Sequence, residues 1–190
     1  MFSNCISITS IDLNSLNTEN VKDMKEMFYN CTNLEKITFS KNLKTSKVIY
    51  SESQFTYCSS LENLDLSSFK SIEAMETEKM FYGYSKLKEI NFNRKTPVKL
   101  NNFKSMFEDC TNLKSLNLSF LVYIKGLGYT SRMFKNCISL ENINFQKISS
   151  FFLFNTDEKL SCKSLGRFDL GTINTLTVTN MEKMFMAALH

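Results

Sequence analysis

The sequence predicts a β-rich α/β solenoid of about seven stacked turns, each roughly 26 residues long. The first observation behind this is a Met-Phe pair that returns at steps of 26, 27, 26, 26, 27, 25 and 26 residues. The second is a set of apolar columns that holds its place in every turn. The aligned aromatic position is occupied by Phe2, Phe28, Phe55, Phe81, Phe107, Phe134, Lys159 and Phe185.

The strand of each turn is predicted on the phrase L-x-x-I/L-x-L/F, whose last three positions alternate as a half-buried strand does. Its first column is Ile8, Leu34, Leu61, Leu87, Leu113, Leu140 and Leu165. Its second column is Ile11, Ile37, Leu64, Ile90, Leu116, Ile143 and Phe168. We expect parallel strands at residues 34–39, 61–66, 87–92, 113–118 and 140–145, with both columns facing the core.

A short extended segment and a short helical turn are predicted before each strand. The extended segment falls at an apolar column seven residues before the aromatic one: Val21, Val48, Ala74, Leu100, Leu127, Phe152 and Val178. The helical turn falls on M-F-x-x-C, because Met24 precedes Met27 and Phe28 at i, i+3, i+4 spacing, and Met181 repeats this near the end.

The cysteines occupy one column, three residues after the aromatic position: Cys5, Cys31, Cys58, Cys110, Cys137 and Cys162. Neighbouring turns would bring them within disulfide range, but with parallel Cβ vectors that make the S–S torsion hard to reach. One ligand per turn in a straight ladder does not converge on a zinc ion. We expect buried, reduced thiols that donate weakly to nearby carbonyls. The alternatives are occasional disulfides, or a metal-binding or redox role.

Two stretches are candidates for binding. The outward column of the strands is polar in every turn, and on an open sheet face it is the expected binding surface: Asp12, Thr38, Asp65, Asn91, Asn117, Asn144 and Asp169. Alternatively, these side chains keep the face soluble or hydrogen-bond to one another. Phe151 and Phe154 flank the inward Phe152 and would form an apolar partner site if exposed. Alternatively, they cover a loosely packed turn.

Composition argues against several classes of function. His190, the last residue, is the sole histidine, so the sequence offers no suitable histidine to activate a serine or cysteine nucleophile. The sequence also contains no Gly-rich phosphate-binding loop. We therefore predict no enzyme activity, no cofactor and no metal site. A net charge of +4 with interspersed acids and lysines gives little support for nucleic-acid binding. No apolar run is long enough for membrane insertion, and no export signal is visible.

The consensus V-x-x-M-x-x-M-F-x-x-C-x-x-L-x-x-L-x-L-S resembles the BspA-like leucine-rich repeats. It is most similar to the variant found in surface lipoproteins of mycoplasmas and in large surface protein families of some anaerobic protists and bacteria. The resemblance covers nearly the whole chain, with departures at Gln54, Tyr84 and Lys159. It implies a leucine-rich-repeat solenoid that is displayed on a cell surface for adhesion or protein recognition, without catalytic residues.

We thus expect residues 1–190 to form one domain, a segment of a longer array, rather than a very small protein capped by incomplete turns. The expected function is recognition or adhesion, with a protein or a surface glycan as partner. The alternative is an intracellular scaffold or sensor solenoid, which six unpaired cysteines would favour. The sequence does not predict the oligomeric state.

Overall fold

The computed structural model describes residues 1–69, 75–92, 100–119, 131–144, 162, 164 and 167–169. Seven of its strands lie on the predicted phrase: β1 Ser10–Leu13, β2 Lys36–Phe39, β3 Asn63–Leu66, β5 Glu89–Phe92, β7 Ser115–Asn117, β8 Asn142–Asn144 and β9 Arg167–Asp169. Two short strands, β4 Met75–Glu76 and β6 Leu100–Asn101, lie beside the apolar column predicted seven residues before the aromatic one. Leu100 pairs with Met75, whereas the repeat aligns it with Ala74, so the predicted alignment is one residue off here.

The strands pair in parallel and in the register that the repeat predicts. Ile11 faces Ile37, Leu64 faces Ile90, and Leu116 faces Ile143. Between these pairs β2 lies against β3 and β5 against β7, so the strands follow one another in chain order. A second parallel ladder runs through Asp23, Tyr50 and the β4 and β6 pair.

Each strand begins two residues later than the sequence predicts. The first leucine of the phrase belongs to the preceding turn, where the Leu34 N–H donates to the Cys31 carbonyl at 3.1 Å. The same bond joins Leu61 to Cys58 and Leu113 to Cys110. These leucines are nonetheless fully buried, so the inward direction of the column is confirmed.

The predicted helical turn at M-F-x-x-C is wrong for the described residues, among which no helix occurs. The segment from Met24 to Cys31 is a chain of overlapping turns in which N–H groups donate to the carbonyl three residues earlier. Glu26 and Asn30 have φ of 51° and 56°, which breaks any α-helix. Met24, Met27 and Phe28 are buried, as the i, i+3, i+4 spacing predicts. The successive turns, and not a helix, place these three side chains in the core.

Hydrogen bonds between neighbouring turns replace the i to i−4 bonds of a helix. The N–H groups of Glu26, Phe28 and Asn30 donate to Glu52, Gln54 and Thr56 in the next turn, at 3.1, 2.8 and 2.8 Å. The arrangement recurs in the later described turn segments, and the donor always lies in the earlier turn. The turn segments therefore form a ladder whose peptide groups point one way along the stack.

The interior of the stack is an aromatic ladder. Six phenylalanine rings lie nearly parallel, with successive centroids 5.5, 5.4, 5.9, 5.3 and 5.7 Å apart: Phe2, Phe28, Phe55, Phe81, Phe107 and Phe134. Beside it lie the buried leucine columns and four methionines of the Met-Phe pairs: Met27, Met80, Met106 and Met133. One continuous core thus runs through the described turns, and it places alternate strand residues on an outer face.

Candidate functional site: the exposed strand face

The polar column lies where the sequence predicts, on the outer face of the strands. Strand pairing sets Asp65 opposite Asn91, and it aligns Asn117 with Asn144 and Asp169. The side chains of Asp65 and Asn91 are exposed, and those of Asn117 and Asn144 are half-buried. Each sits beside a buried inward residue, so the core fixes which side chains reach solvent.

A second outward column lies two residues before the first in each strand. It contains Ser10, Lys36, Asn63, Glu89, Ser115 and Asn142, all exposed. Together the two columns make a polar surface about two side chains wide along the strands. At its border Lys88 pairs with Glu62 of the preceding turn at 2.7 Å, with both side chains more than half exposed. An exposed pair of this kind adds little stability.

Several members of the polar column also hold the backbone that follows their strand. The Asp65 carboxylate accepts the Ser67 N–H at 2.9 Å, and the Asn117 amide oxygen accepts the Ser119 N–H at 3.0 Å. Asp12 does the same for Asn14 at 2.8 Å. These are Asx turns, in which a short polar side chain mimics a backbone turn. Such residues therefore have a structural role that sequence reasoning missed, although Asp or Asn directly before the last apolar residue of the L-x-x-I/L-x-L/F phrase is its signal.

One contact runs along the column itself. The Asn91 side-chain amide donates to Asp65 Oδ1 at 3.1 Å. This is the ladder of hydrogen bonds that the structural alternative predicts. Oδ1 of Asp65 thus accepts hydrogen bonds from both Ser67 and Asn91. A ligand would therefore be bound by Oδ2, the second carboxylate oxygen of Asp65.

Two of the candidate residues have no described position. Phe151 and Phe154 lie outside the described residues, as does the Lys159 register. Asp169 is described only as a backbone position at the end of β9. The proposed aromatic site therefore stays a prediction from sequence.

The cysteine column is a structural element of the core. All six cysteines are free, and five of them are buried. From the second turn onward each thiol donates to the carbonyl of the aromatic residue in the turn before it. Examples are Cys31 to Phe2 at 3.0 Å, Cys58 to Phe28 at 3.1 Å and Cys137 to Phe107 at 3.0 Å. Five of the six thiols thus have the expected burial and carbonyl contact, whereas Cys5 is only partly buried and its Sγ lies 4.0 Å from the Ser3 carbonyl oxygen.

The fourth described turn has Tyr84 in place of cysteine. Its side chain is fully buried beside Cys58, and burial raises the pKa of its hydroxyl well above the ordinary value. Burial likewise raises the pKa of the Cys58 thiol to about 12. The pKa values of Cys31, Cys110 and Cys137 are raised for the same reason. A thiol must lose its proton to act as a nucleophile, so these thiols are poorly reactive.

Thiol titration of the native protein with an aromatic disulfide reagent should show one early group, Cys5, which is only partly buried. The other five should react slowly because they are buried. For Cys58, whose pKa is about 12, roughly one molecule in ten thousand is ionised near pH 8. After denaturation without reductant all six should react. Rapid reaction of six native thiols, or fewer than four reactive thiols after denaturation, would contradict this.

Neither a metal cluster nor a membrane-spanning helix occurs in the part of the chain that the structure describes. No group of three or more His, Cys, Asp or Glu side chains among these residues is arranged to hold a metal ion. Within the same residues there is no helix of the length and hydrophobicity needed to cross a membrane.

The fold and this face define a class: a repeat protein in which short parallel strands are stacked in register over a leucine and phenylalanine core. The family described as "Mycoplasma protein of unknown function, DUF285" matches residues 1–120 and 128–190. The chain belongs to this family. That result supports the resemblance to BspA-like repeats at the level of the family, while the particular repeat variant stays a prediction.

A solved structure also resembles the chain. It is the crystal structure of a leucine-rich repeat protein from Bacteroides ovatus, with 18% sequence identity and a TM-score of 0.40. The similarity covers 86% of this chain and 49% of that one, so the chain spans about half the length of that protein. No curated protein matches the chain.

Proposed function

We propose that this chain is a non-catalytic recognition or adhesion module that binds a protein or glycan partner through its exposed strand face. The observation that carries this is the pair of outward polar columns, which the in-register strands hold open to solvent beside a continuous core. Solenoids commonly bind partners on such an extended surface. In this proposal the module is displayed at a cell surface.

The proposal includes one continuous solenoid of seven turns that forms part of a longer array. It is supported by the constancy of the turn-to-turn contacts. The aromatic stack runs from the turn of Phe2 to that of Phe134, and the thiol to carbonyl bond recurs in the described turns after the first that have a cysteine. The strand pairs β1–β2, β3–β5 and β7–β8 share one parallel register. Because each turn packs only on its neighbours, a partner can engage several turns at once.

The chemistry of the face favours a polar partner. Asp65, Asn91 and Asn117 offer acceptors and amide donors, and the neighbouring Lys36 and Glu89 add charges of both signs. The face carries no large apolar anchor in the outward columns named above. Recognition here would therefore rest on many hydrogen bonds spread along the stack, with modest affinity for each turn.

Replacing Asp65, Asn91, Asn117 and Asn144 together by alanine should abolish adhesion of protein-coated beads to host cells while the fold is retained. The inward leucine and isoleucine columns, which carry the core, are unchanged. Since Asp65 and Asn117 also hold backbone N–H groups, a matched Asp65→Ser, Asn117→Ser variant keeps an acceptor oxygen at both turns. Circular dichroism and a thermal melt check each variant first.

A Phe151→Ser, Phe154→Ser variant serves as the competing arm of this experiment. Adhesion that survives in the quadruple variant but is lost in the phenylalanine variant would place the site at residues 151–154 and refute the strand face. Loss of adhesion in the quadruple variant alone, with a native spectrum, would support the strand face.

The second candidate is an intracellular scaffold or sensor solenoid. The specific observation in its favour is that all six cysteines are free, as is typical of proteins kept in a reducing compartment. The sequence of the full-length gene separates the two. A signal peptide with a lipidated cysteine, or a carboxyl-terminal anchor, supports surface display, and a fused cytosolic partner domain supports the scaffold.

A further inference from the structure

Three tyrosines form a row on the outside of the turn segments, on a surface distinct from the strand face. Tyr29 and Tyr57 meet edge to face with centroids 6.1 Å apart, and Tyr57 and Tyr82 do so at 5.2 Å. Tyr57 is 40% exposed, and its two neighbours are half-buried. We name Tyr29, Tyr57 and Tyr82 the tyrosine strip.

Tyr57 occupies a backbone position that disfavours it. Its φ is 60°, in the left-handed region. The equivalent position in the other described turns holds residues that tolerate this conformation: Asn4, Asn30, Gly83, Asp109 and Asn136. A bulky side chain there is disfavoured relative to asparagine or glycine. Tyr57 therefore places an aromatic ring on the surface at a position where asparagine would favour the observed backbone conformation more.

The next turn makes room for this ring. Gly83 also has a positive φ, and a Cβ atom added to it would lie only 2.5 Å from Cδ1 of Tyr57. The ring of Tyr57 thus lies directly over the Gly83 backbone. The rings of Tyr29 and Tyr82, in the turns before and after, meet it edge to face. The ring is held in one orientation before any ligand arrives.

The surroundings of the strip favour an uncharged ligand. Two ion pairs lie in the column three residues before the aromatic position, Lys25 with Glu52 at 3.0 Å and Lys104 with Glu78 at 3.3 Å, so these charges are paired within the stack. In the same column as Tyr57 lie the amide of Asn30 and the carboxylate of Asp109, each bonded along the stack. The immediate neighbours of Tyr57 in this column are Asn30 and Gly83, and Asp109 lies one turn beyond Gly83. An aromatic ring with an amide in the adjacent turn matches a sugar, which has an apolar C–H face and hydroxyl edges.

The size of the strip points the same way. A stable protein interface buries about 800 Å² on each partner, which a row of three rings, two of them half-buried, does not provide. Successive turns are about 4.8 Å apart, close to the length of one sugar unit. We propose that the tyrosine strip is a binding site for a neutral linear glycan that runs along the stack, with one sugar stacked on Tyr57. This site is independent of the proposed strand-face function.

The test is a titration of the protein with neutral hexasaccharides, namely cello-, laminari-, malto- and mannohexaose, beside a heparin hexasaccharide as the charged arm. The chain has seven tyrosines and no tryptophan, so tyrosine emission reports directly on the rings. We expect at least one neutral hexasaccharide to bind with a dissociation constant of about 1 mM or below. Tyr57→Asn should weaken that binding about tenfold, since one aromatic stack is lost.

Three matched variants complete the design. Tyr57→Phe keeps the ring and should retain most of the binding. Tyr50→Asn removes a comparably exposed tyrosine, 41% against 40%, that lies outside the strip and should bind as wild type. The quadruple alanine variant of the strand face should also bind the glycan as wild type, which keeps this proposal separate from the proposed function.

Several results would overturn the proposal. These are no binding of any neutral hexasaccharide to the wild type, binding of the heparin hexasaccharide alone, or equal affinities of the wild type and Tyr57→Asn. Failure of Tyr57→Asn to fold would show that the ring serves the structure instead. Unchanged or raised thermal stability of Tyr57→Asn together with weakened glycan binding would support the proposal.

Discussion

Replacing Phe81 by alanine should lower the free energy of unfolding by about 3 to 5 kcal/mol, the usual cost of truncating a buried aromatic side chain. Phe81 is fully buried and stacks on both Phe55 and Phe107, at 5.9 and 5.3 Å. Its loss would open a cavity in the middle of the aromatic ladder, which the backbone bonds of the turn segments prevent from collapsing. Urea denaturation at 25 °C measures the change.

Two controls separate the possible causes. Phe81→Leu keeps most of the volume and should cost clearly less, because only the ring contacts are lost. Phe2→Ala changes a partly buried ring with one stacking neighbour, Phe28, and should also cost less than Phe81→Ala. Equal losses for Phe2→Ala and Phe81→Ala would refute a ladder whose strength depends on neighbours on both sides.

Replacing Leu116 by alanine should cost about 2 to 5 kcal/mol. The Leu116 side chain is 3% exposed, and its strand pairs with β8 and lies against β5. Ile11 in β1 occupies the same column but is only partly buried, so Ile11→Ala should cost much less. Denaturant melts in which the two variants lose the same free energy would count against a stack whose stability comes from nearest-neighbour packing.

Much of the fold could be predicted because burial repeats with the chain. Inward positions such as those of Leu113 and Phe107 are apolar in nearly every turn, Lys159 being the exception, so the order of residue types alone reveals both the period and the register. The thiol column was predictable for the same reason. The position of Asp65 and Asn117 on the outer face followed from strand alternation alone.

The turn segments could not be predicted from this pattern. Helical spacing at Met24, Met27 and Phe28 reports burial, but it does not report which hydrogen bonds the backbone makes. Those bonds go to the next turn, and the only local sign of it is asparagine, aspartate or glycine at the left-handed position, as in Asn30 and Gly83. Likewise, the polarity of Asp65 did not distinguish ligand binding from its bond to Ser67.

The one-way ladder of the turn segments bears on how such a chain can lengthen. Each described turn segment presents N–H groups to the turn that follows it and carbonyl groups to the turn before it. When one whole turn is removed or duplicated, the two turn segments that become neighbours still present N–H groups to carbonyl groups. An inverted turn would instead place carbonyl against carbonyl on one side and N–H against N–H on the other. Duplication of about 26 residues in the same direction adds a turn without any new contact type, while a fractional insertion has to be absorbed in the loops. The backbone thereby permits the array to grow by gene duplication and leaves the outward side chains free to diverge.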